Sequence, residues 1–236
     1  MKKSIYNHLK KCPPAFEVFK KLEQFGNLYL IGGVLREYKD HKYIQELRDI
    51  DIVVDAEDKK SCKEMLGTYN PRKNSFGGYK IDCKGLIVDI WFLDETWAYR
   101  EGIVECPREQ YGERLTDTVF LNIDGIAYDW NKEIWKEEKY DEAMRSEEID
   151  IVLGQNPQIK LNIIRAMVLR RRYNFSFSER LKTVIRRQVE SSNNLKQELY
   201  QIQIERYKKD ILSMKEIEKE LTFLFEESAN HDPSKA

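Results

Sequence analysis

The residues of this chain whose types and spacing could do chemistry lie mainly in one stretch, IGGVLREYKDHKYIQELRDIDIVVD, from Ile31 to Asp55. It opens with Gly32, Gly33 and Arg36 and closes on Asp49 and Asp51. In an extended segment, residues two apart project from the same face. The strict alternation of DIDIVVDA therefore sets the carboxylates of Asp49 and Asp51 side by side. Two carboxylates so close repel unless a cation lies between them. Asp89, alone among apolar residues in LIVDIWF, is a natural third acid. A lone acid in an apolar run is costly unless it faces a site. Mg²⁺ takes oxygen ligands and shares substrate phosphates. Three acids around Mg²⁺, or Mn²⁺ in its place, would form a two-metal site. Such a site suits phosphoryl or nucleotidyl transfer, one ion activating the attacking hydroxyl and the other holding the triphosphate.

The glycines supply what a triphosphate needs. Gly32 and Gly33 fall at a strand end before a helix, where the missing Cβ lets phosphate oxygens approach backbone N–H groups. Arg36 follows one helical turn later and can reach the same phosphates. Tyr79 and Lys80, in GGYK, read equally as residues flanking the nucleotide, where a lysine beside a triphosphate is useful, or, for Lys80, as a simple edge-strand lysine. Asp55 shares the face of Asp49 and Asp51 and reads as a strand-end surface acid. Arg48 points to the opposite face and pairs locally. His8, His41 and His231 enter no acid–base or ligand pattern.

Positioning these residues requires a mixed order of strands and helices. PPAFEVFKKLEQF predicts a helix over 14–25, starting at its prolines. NLYLI predicts a strand closed by the glycine pair, and VLREYKDHKYI a helix after it. DIDIVVDA is a strand and EDKKSCKEMLGTY a helix. GGYKIDCKGLIVDIWFL predicts two strands joined by a turn near Lys84 and Gly85. The mixed pattern runs to about Trp135. Beyond it PQIKLNIIRAMVLRRRY, SERLKTVIRRQVE, NLKQELYQIQIERYKKDIL and MKEIEKELTFLFEE carry helical periodicity. The expected fold is α+β: a small mixed sheet backed by helices over 1–136, the catalytic part, then a helical domain over 137–236 that closes a cleft. The last residues, SANHDPSKA, read as a frayed tail.

Composition narrows the functional classes. Among 236 residues, 40 are basic and 41 acidic, which excludes a uniformly basic nucleic-acid coat. The charge is uneven along the chain. Residues 94–150 hold seven basic against seventeen acidic residues, and residues 156–210 hold thirteen against five. A basic second half suits a polyanion. Consecutive arginines on a helix fan apart, so Arg170, Arg171 and Arg172 cannot all face one ligand. Arg165 and Arg172, seven apart, share a face and are the pair assigned to the cleft. No apolar run approaches a membrane span, and no apolar leader follows the first lysines. Four dispersed cysteines read as reduced thiols of a cytoplasmic protein. Trp91, Trp97, Trp130 and Trp135 read as packing residues.

The ordered set of strand, G-G-x-x-R, helix, D-x-D strand and third-strand Asp resembles the head domain of the polymerase-β nucleotidyltransferase superfamily. Within it the motifs YLIGGVLR and RDIDIVV are similar to the bacterial-type tRNA CCA-adding enzyme and poly(A) polymerase group. FGGYKIDCKGLIVDIW resembles the strand pair that brings in the third carboxylate, and IKLNIIRAMVLRRRYNFSFS the arginine-rich helix after the head. The resemblance covers roughly residues 27–178. It implies that Asp49 and Asp51 bind the metals and that Asp89 positions or activates the acceptor hydroxyl. It further implies that Gly32, Gly33 and Arg36 hold the triphosphate and that Arg165 faces the nucleotide or acceptor.

Departures shift the expected reaction. Where the family carries R-R-D-F-T-I-N-A-L-A-Y-D, this chain has TVFLNIDGIAYD, keeping AYD but neither the arginine pair nor the asparagine position. Asn122 and Asp124 occupy its middle. The E-D-x-x-R element that selects bases in the CCA-adding group is missing, and about one hundred helical residues leave no room for that group's tRNA-binding body. The expectation is therefore not CCA addition. It is a template-independent nucleotidyltransferase that adds nucleotides from an NTP or dNTP, ATP included, to a nucleic-acid 3′ end or an oligonucleotide. RNA end modification, or synthesis of a defence or signalling oligonucleotide, fits that reaction. The alternatives are nucleotidyl transfer to a small molecule or protein, and a non-catalytic nucleotide-binding module. Base preference, acceptor and oligomeric state are open at this level.

Overall fold

The computed structural model describes residues 1–74 and 76–229; from Asn230 onward the expected frayed tail lies outside the described residues. Two compact units emerge, one formed by Met1–Val119 with Asp124–Tyr140, the other by Phe120–Ile123 with the chain from Asp141.

In the first unit the order is α1 (Lys2–Leu9), α2 (Pro13–Leu22), β1 (Gly26–Ile31), α3 (Gly33–His41), β2 (Asp49–Ala56) and α4 (Lys59–Gly67). Then come β3 (Arg72–Lys73), β4 (Tyr79–Asp82), β5 (Ile87–Phe92), α5 (Trp97–Arg100), β6 (Ala127–Asp129) and β7 (Ile134–Lys136). Helix α2 starts on Pro13 and Pro14, whose fixed φ suits a first turn. It buries Ala15, Val18, Phe19 and Leu22, a spacing that makes one helical face. Helix α3 stops where Lys42 turns left-handed at φ 62°. Asp58 caps α4, its side chain accepting from Ser61 N at 3.1 Å. Between β4 and β5, Lys84 (φ 59°) and Gly85 (φ 111°) form the tight turn that the Lys-Gly pair suggests. Helix α1 was not expected. Only Ile5 and Leu9 of its residues are buried, too few for a periodic signal in so lysine-rich a segment.

The seven strands run in the order β3-β4-β5-β2-β1-β6-β7. All pairings are antiparallel except β2 with β5. The sheet has two unlike faces. On one, Leu28, Leu30, Ile50, Ile52, Val54, Val88 and Ile90 are fully buried, each contributing roughly 1.5–3 kcal/mol relative to exposure. On the other lie Asp49, Asp51 and Asp89. Trp130 is buried against Phe19 (ring centroids 4.8 Å apart) and Tyr6 (5.0 Å), and its indole N–H donates to Glu23 at 2.7 Å. It is therefore a packing residue, as the sequence suggests.

The second unit receives the end of α6 (Glu138–Ser146) and continues through β8 (Glu148–Ile149), α7 (Ile159–Tyr173), β9 (Ser176–Phe177), α8 (Glu179–Ser191), α9 (Leu195–Tyr207) and α10 (Met214–Ala229). Its core gathers Ile163, Ile164, Met167, Leu181, Ile185, Leu199 and Ile217. Asn122 fastens its first segment there. The carboxamide accepts from Ile123 N at 2.8 Å and Asp150 N at 3.0 Å, and donates to the Glu148 carbonyl at 3.0 Å. Cys12, Cys62, Cys83 and Cys106 are free thiols. Among the described residues no helix is long and apolar enough to cross a membrane.

Helix α10 begins with a reciprocal cap. Glu216 Oε2 accepts from Ser213 N and Ser213 Oγ, both at 2.8 Å, while Ser213 Oγ accepts from Glu216 N at 3.3 Å. The Ser213 backbone and hydroxyl bonds, with Arg171 beside them, hold the Glu216 carboxyl down at about 2. Its folded pKa lies below the unfolded value, so its contribution is present above that value and lost as pH falls through the folded one. Glu216→Gln is expected to lower the unfolding midpoint at neutral pH. The gap from the parent should close as pH drops from about 4.5 to about 2, as followed by circular dichroism melts.

Candidate functional site

Strand β1 ends on Ile31, which pairs across the sheet with Asp51. The chain then bends at Gly32, φ 82° and ψ −151°, and α3 begins at Gly33, its N-cap position held by Gly32, which has no side chain to cap with. Glycine is required at this bend for two reasons. The backbone lies where L-residues rarely go, and a Cβ on Gly32 would stand 2.4 Å from Asp51 Oδ2. The Asp51 carboxylate is thus seated directly against the bend. Gly33 has more room, the nearest atom to its added Cβ being Arg36 Nη2 at 3.7 Å.

The parallel register sets Asp51 opposite Asp89, and the antiparallel one sets Asp89 opposite Lys80. Residues directly opposite project from the same side of a sheet. Lys80, Asp89, Asp51 and Ile31 consequently form one row across four strands. Asp89 is only 7% exposed. Lys80 Nζ donates to its Oδ2 at 2.8 Å, while its Oδ1 is buried with no hydrogen-bond partner. Asp49 heads β2 opposite Ile87 and is exposed.

Arg36 is 5% exposed, and its guanidinium donates to Asp124. The sequence names Arg36 but not its partner. Asp124 stands in the stretch that departs from the family pattern, and that departure was the one available signal. Asp55 pairs with Arg108, which accounts for it as a structural acid. Arg48 pairs locally with Glu46 at 3.7 Å. Arg165 and Arg172 belong to α7 in the second unit. Arg165 is half-buried and Arg172 exposed, its guanidinium 5.3 Å from the Tyr173 ring. Their neighbours Arg170 and Arg171 pair with Glu220 and Glu216.

Among the described residues, no group of three or more His, Cys, Asp or Glu is gathered so as to hold a metal ion. Magnesium is commonly held by one or two carboxylates and completes its shell with water and substrate phosphates. Adjacent Asp51 and Asp89, with one carboxylate oxygen orphaned, fit that mode. Asp49 lies two residues away on the same face, exposed, and is not gathered with the other two acids into a three-acid group.

No family model and no curated protein sequence matches the chain. Solved structures share its fold. A CCA-adding enzyme in an apo form superposes with a TM-score of 0.59 at 17% identity, over 94% of this chain and 54% of the enzyme's. A CCA-adding enzyme in complex with ATP gives 0.54 at 20% identity, over 85% and 50%. A tRNA nucleotidyltransferase complexed with a primer tRNA and an incoming ATP analogue gives 0.53 at 17%, over 82% and 56%. The likeness is one of fold, and it bears out the α+β nucleotidyltransferase-like fold expected from the motifs. The chain spans about half the length of these enzymes.

Gly32→Ala is expected to destabilise the protein by about 1–3 kcal/mol through backbone strain and displacement of Asp51. Gly33→Ala should change stability by under about 1 kcal/mol. Urea unfolding of the two variants beside the parent measures both.

Proposed function

We propose that this chain is a metal-dependent, template-independent nucleotidyltransferase. It takes a nucleoside triphosphate and extends the 3′ end of a nucleic acid or oligonucleotide. The observation that carries the reading is the Lys80–Asp89–Asp51 row beside the Gly32 bend, on a sheet with the fold of CCA-adding enzymes.

In this reading the acceptor 3′ hydroxyl gives up its proton and its oxygen attacks the α-phosphorus. The bond to the β-phosphate oxygen breaks and pyrophosphate leaves. Asp49, Asp51 and Asp89 would hold Mg²⁺ or Mn²⁺, whose charge lowers the hydroxyl pKa and offsets charge on the leaving group. Asp89 keeps one oxygen fixed by Lys80. Its other oxygen is buried and unpartnered, and would have to be uncovered on substrate binding before it could orient or accept from the hydroxyl. The first turn of α3, reached past Gly32 and Gly33, would offer backbone N–H groups to phosphate oxygens. Arg36 stands at the same turn with its charge matched by Asp124, which a phosphate would have to displace to reach the guanidinium. Arg165 and Arg172, on α7 of the second unit, are read as contacts to a polyanion. Two features support a nucleic-acid acceptor: the basic run over 156–210, and the primer tRNA in a structure of the same fold. The missing E-D-x-x-R element argues for a base choice other than CCA.

Asp49→Ala and Asp51→Ala are expected to fold like the parent, since neither side chain is buried. Turnover should fall by several orders of magnitude in each. Labelled triphosphates with Mg²⁺ and an RNA primer should yield a ladder with the parent and none with either variant. A single small-molecule or protein adduct in place of the ladder would redirect the reading to that acceptor class, and full activity in Asp51→Ala would refute it.

A further inference from the structure

The first unit carries a second charged feature, built by α1 and α2. They border an open groove of about 620 Å³. Lys2, Lys3, Lys10 and Lys20 line it, against Glu133 as the acid of the lining. The rings of Tyr6 and Phe16 form its wall, edge to face with centroids 6.0 Å apart. Two of the lysines are engaged. Lys2 donates to the Trp130 carbonyl at 3.0 Å and pairs with Glu133 at 3.3 Å. Lys20 pairs with Glu23 at 2.5 Å and lies 5.7 Å from the Tyr6 ring. Lys3 and Lys10 are exposed, and neither forms an ion pair among the described residues. A chain of net charge −1 thus concentrates positive charge in a groove walled by aromatic rings.

We propose that this groove binds the backbone of a single-stranded nucleic-acid acceptor, Lys3 and Lys10 meeting phosphates while Phe16, backed by the packed Tyr6 ring, receives a base. Basic grooves interleaved with aromatic rings suit single strands, because every base has a face to stack. An anionic membrane is the other polyanionic surface a lysine-rich helix could meet. A helix lying on a membrane needs a free apolar face. Ile5 and Leu9, the apolar residues of α1 that could form one, are fully buried in the protein core. The inference rests on the reading of the acceptor as nucleic acid, and it adds a site remote in sequence from the acids.

The test is fluorescence anisotropy of the full chain with a labelled 20-nucleotide RNA over a salt series, without triphosphate. Lys3→Glu/Lys10→Glu should keep the parent melting temperature and bind at least tenfold more weakly near 0.1 M salt. Its plot of log affinity against log salt should be shallower by about 1.4, from two lost phosphate contacts on a single strand. Lys3→Arg/Lys10→Arg should bind like the parent. Equal affinity of the Glu variant and the parent overturns the groove while leaving the acceptor reading intact. No RNA binding by the parent overturns both. Parent binding to phosphatidylserine vesicles that the Glu variant loses, with RNA affinity unchanged, overturns the groove in favour of a membrane. Primer extension is scored separately, so an inactive parent that still binds RNA through these lysines sinks the enzyme and leaves the groove.

Discussion

The parallel pairing of β2 with β5 is the constraint on which the candidate site depends. It sets Asp51 beside Asp89, an arrangement that carboxylate repulsion opposes. What holds the register is the reverse of the sheet. Ile50, Ile52 and Val54 on one strand and Val88 and Ile90 on the other are fully buried there. A slip of one residue would turn this whole apolar row outward and drive the acids into the core. The summed burial of that row exceeds the repulsion between two carboxylates, one half-exposed and the other paired with Lys80. The acids are thus adjacent because the residues between them are apolar.

Buried charge around the row is handled locally. Asp89 is nearly enclosed, and Lys80 supplies the counter-charge from the adjacent strand. Arg36, more enclosed still, is matched by Asp124. Leaving either ion alone in its place would cost several kcal/mol. The pairs do different jobs. The Lys80 ammonium reaches one oxygen of Asp89 and leaves the other unpartnered. Asp124 instead neutralises Arg36 at the turn where the proposed triphosphate would sit.

Much of this was legible in the sequence, for reasons of range. DIDIVVDA has a period of two that only a strand satisfies, and its observed bounds match that pattern. The Gly32 bend and the Lys84–Gly85 turn are readable because left-handed backbone selects residue types locally. The acid face follows from alternation alone. What lay hidden was set by partners far along the chain. Asp124 is 88 residues from Arg36, and no local pattern ties them. Lys80 was legible as a lysine near the site. That it faces Asp89 depends on the offset between β4 and β5, which the turn fixes only once its two residues are known to loop out. Helix α1 escaped because two apolar positions carry no period. Asn122 looked like a defect in a family motif, yet its three amide bonds show that it closes a junction between backbone segments.

The departure at 118–129 bears on how a triphosphate would be held. Arginines bind phosphate strongly when their forks are open for bidentate contact. Here the segment contributes no arginine, and its Asp124 engages the one at α3. A phosphate arriving at this turn would compete with a carboxylate already in place. Its affinity would then rest on the N–H groups of the first helical turn and on cations held by the acid row, with Arg36 as a brace. Helix N-termini bind phosphate through shape and dipole without reading the base. A site built in this way distinguishes nucleotides by how many phosphates they carry. Selection among bases would fall to residues outside the Lys80–Asp89–Asp51 row.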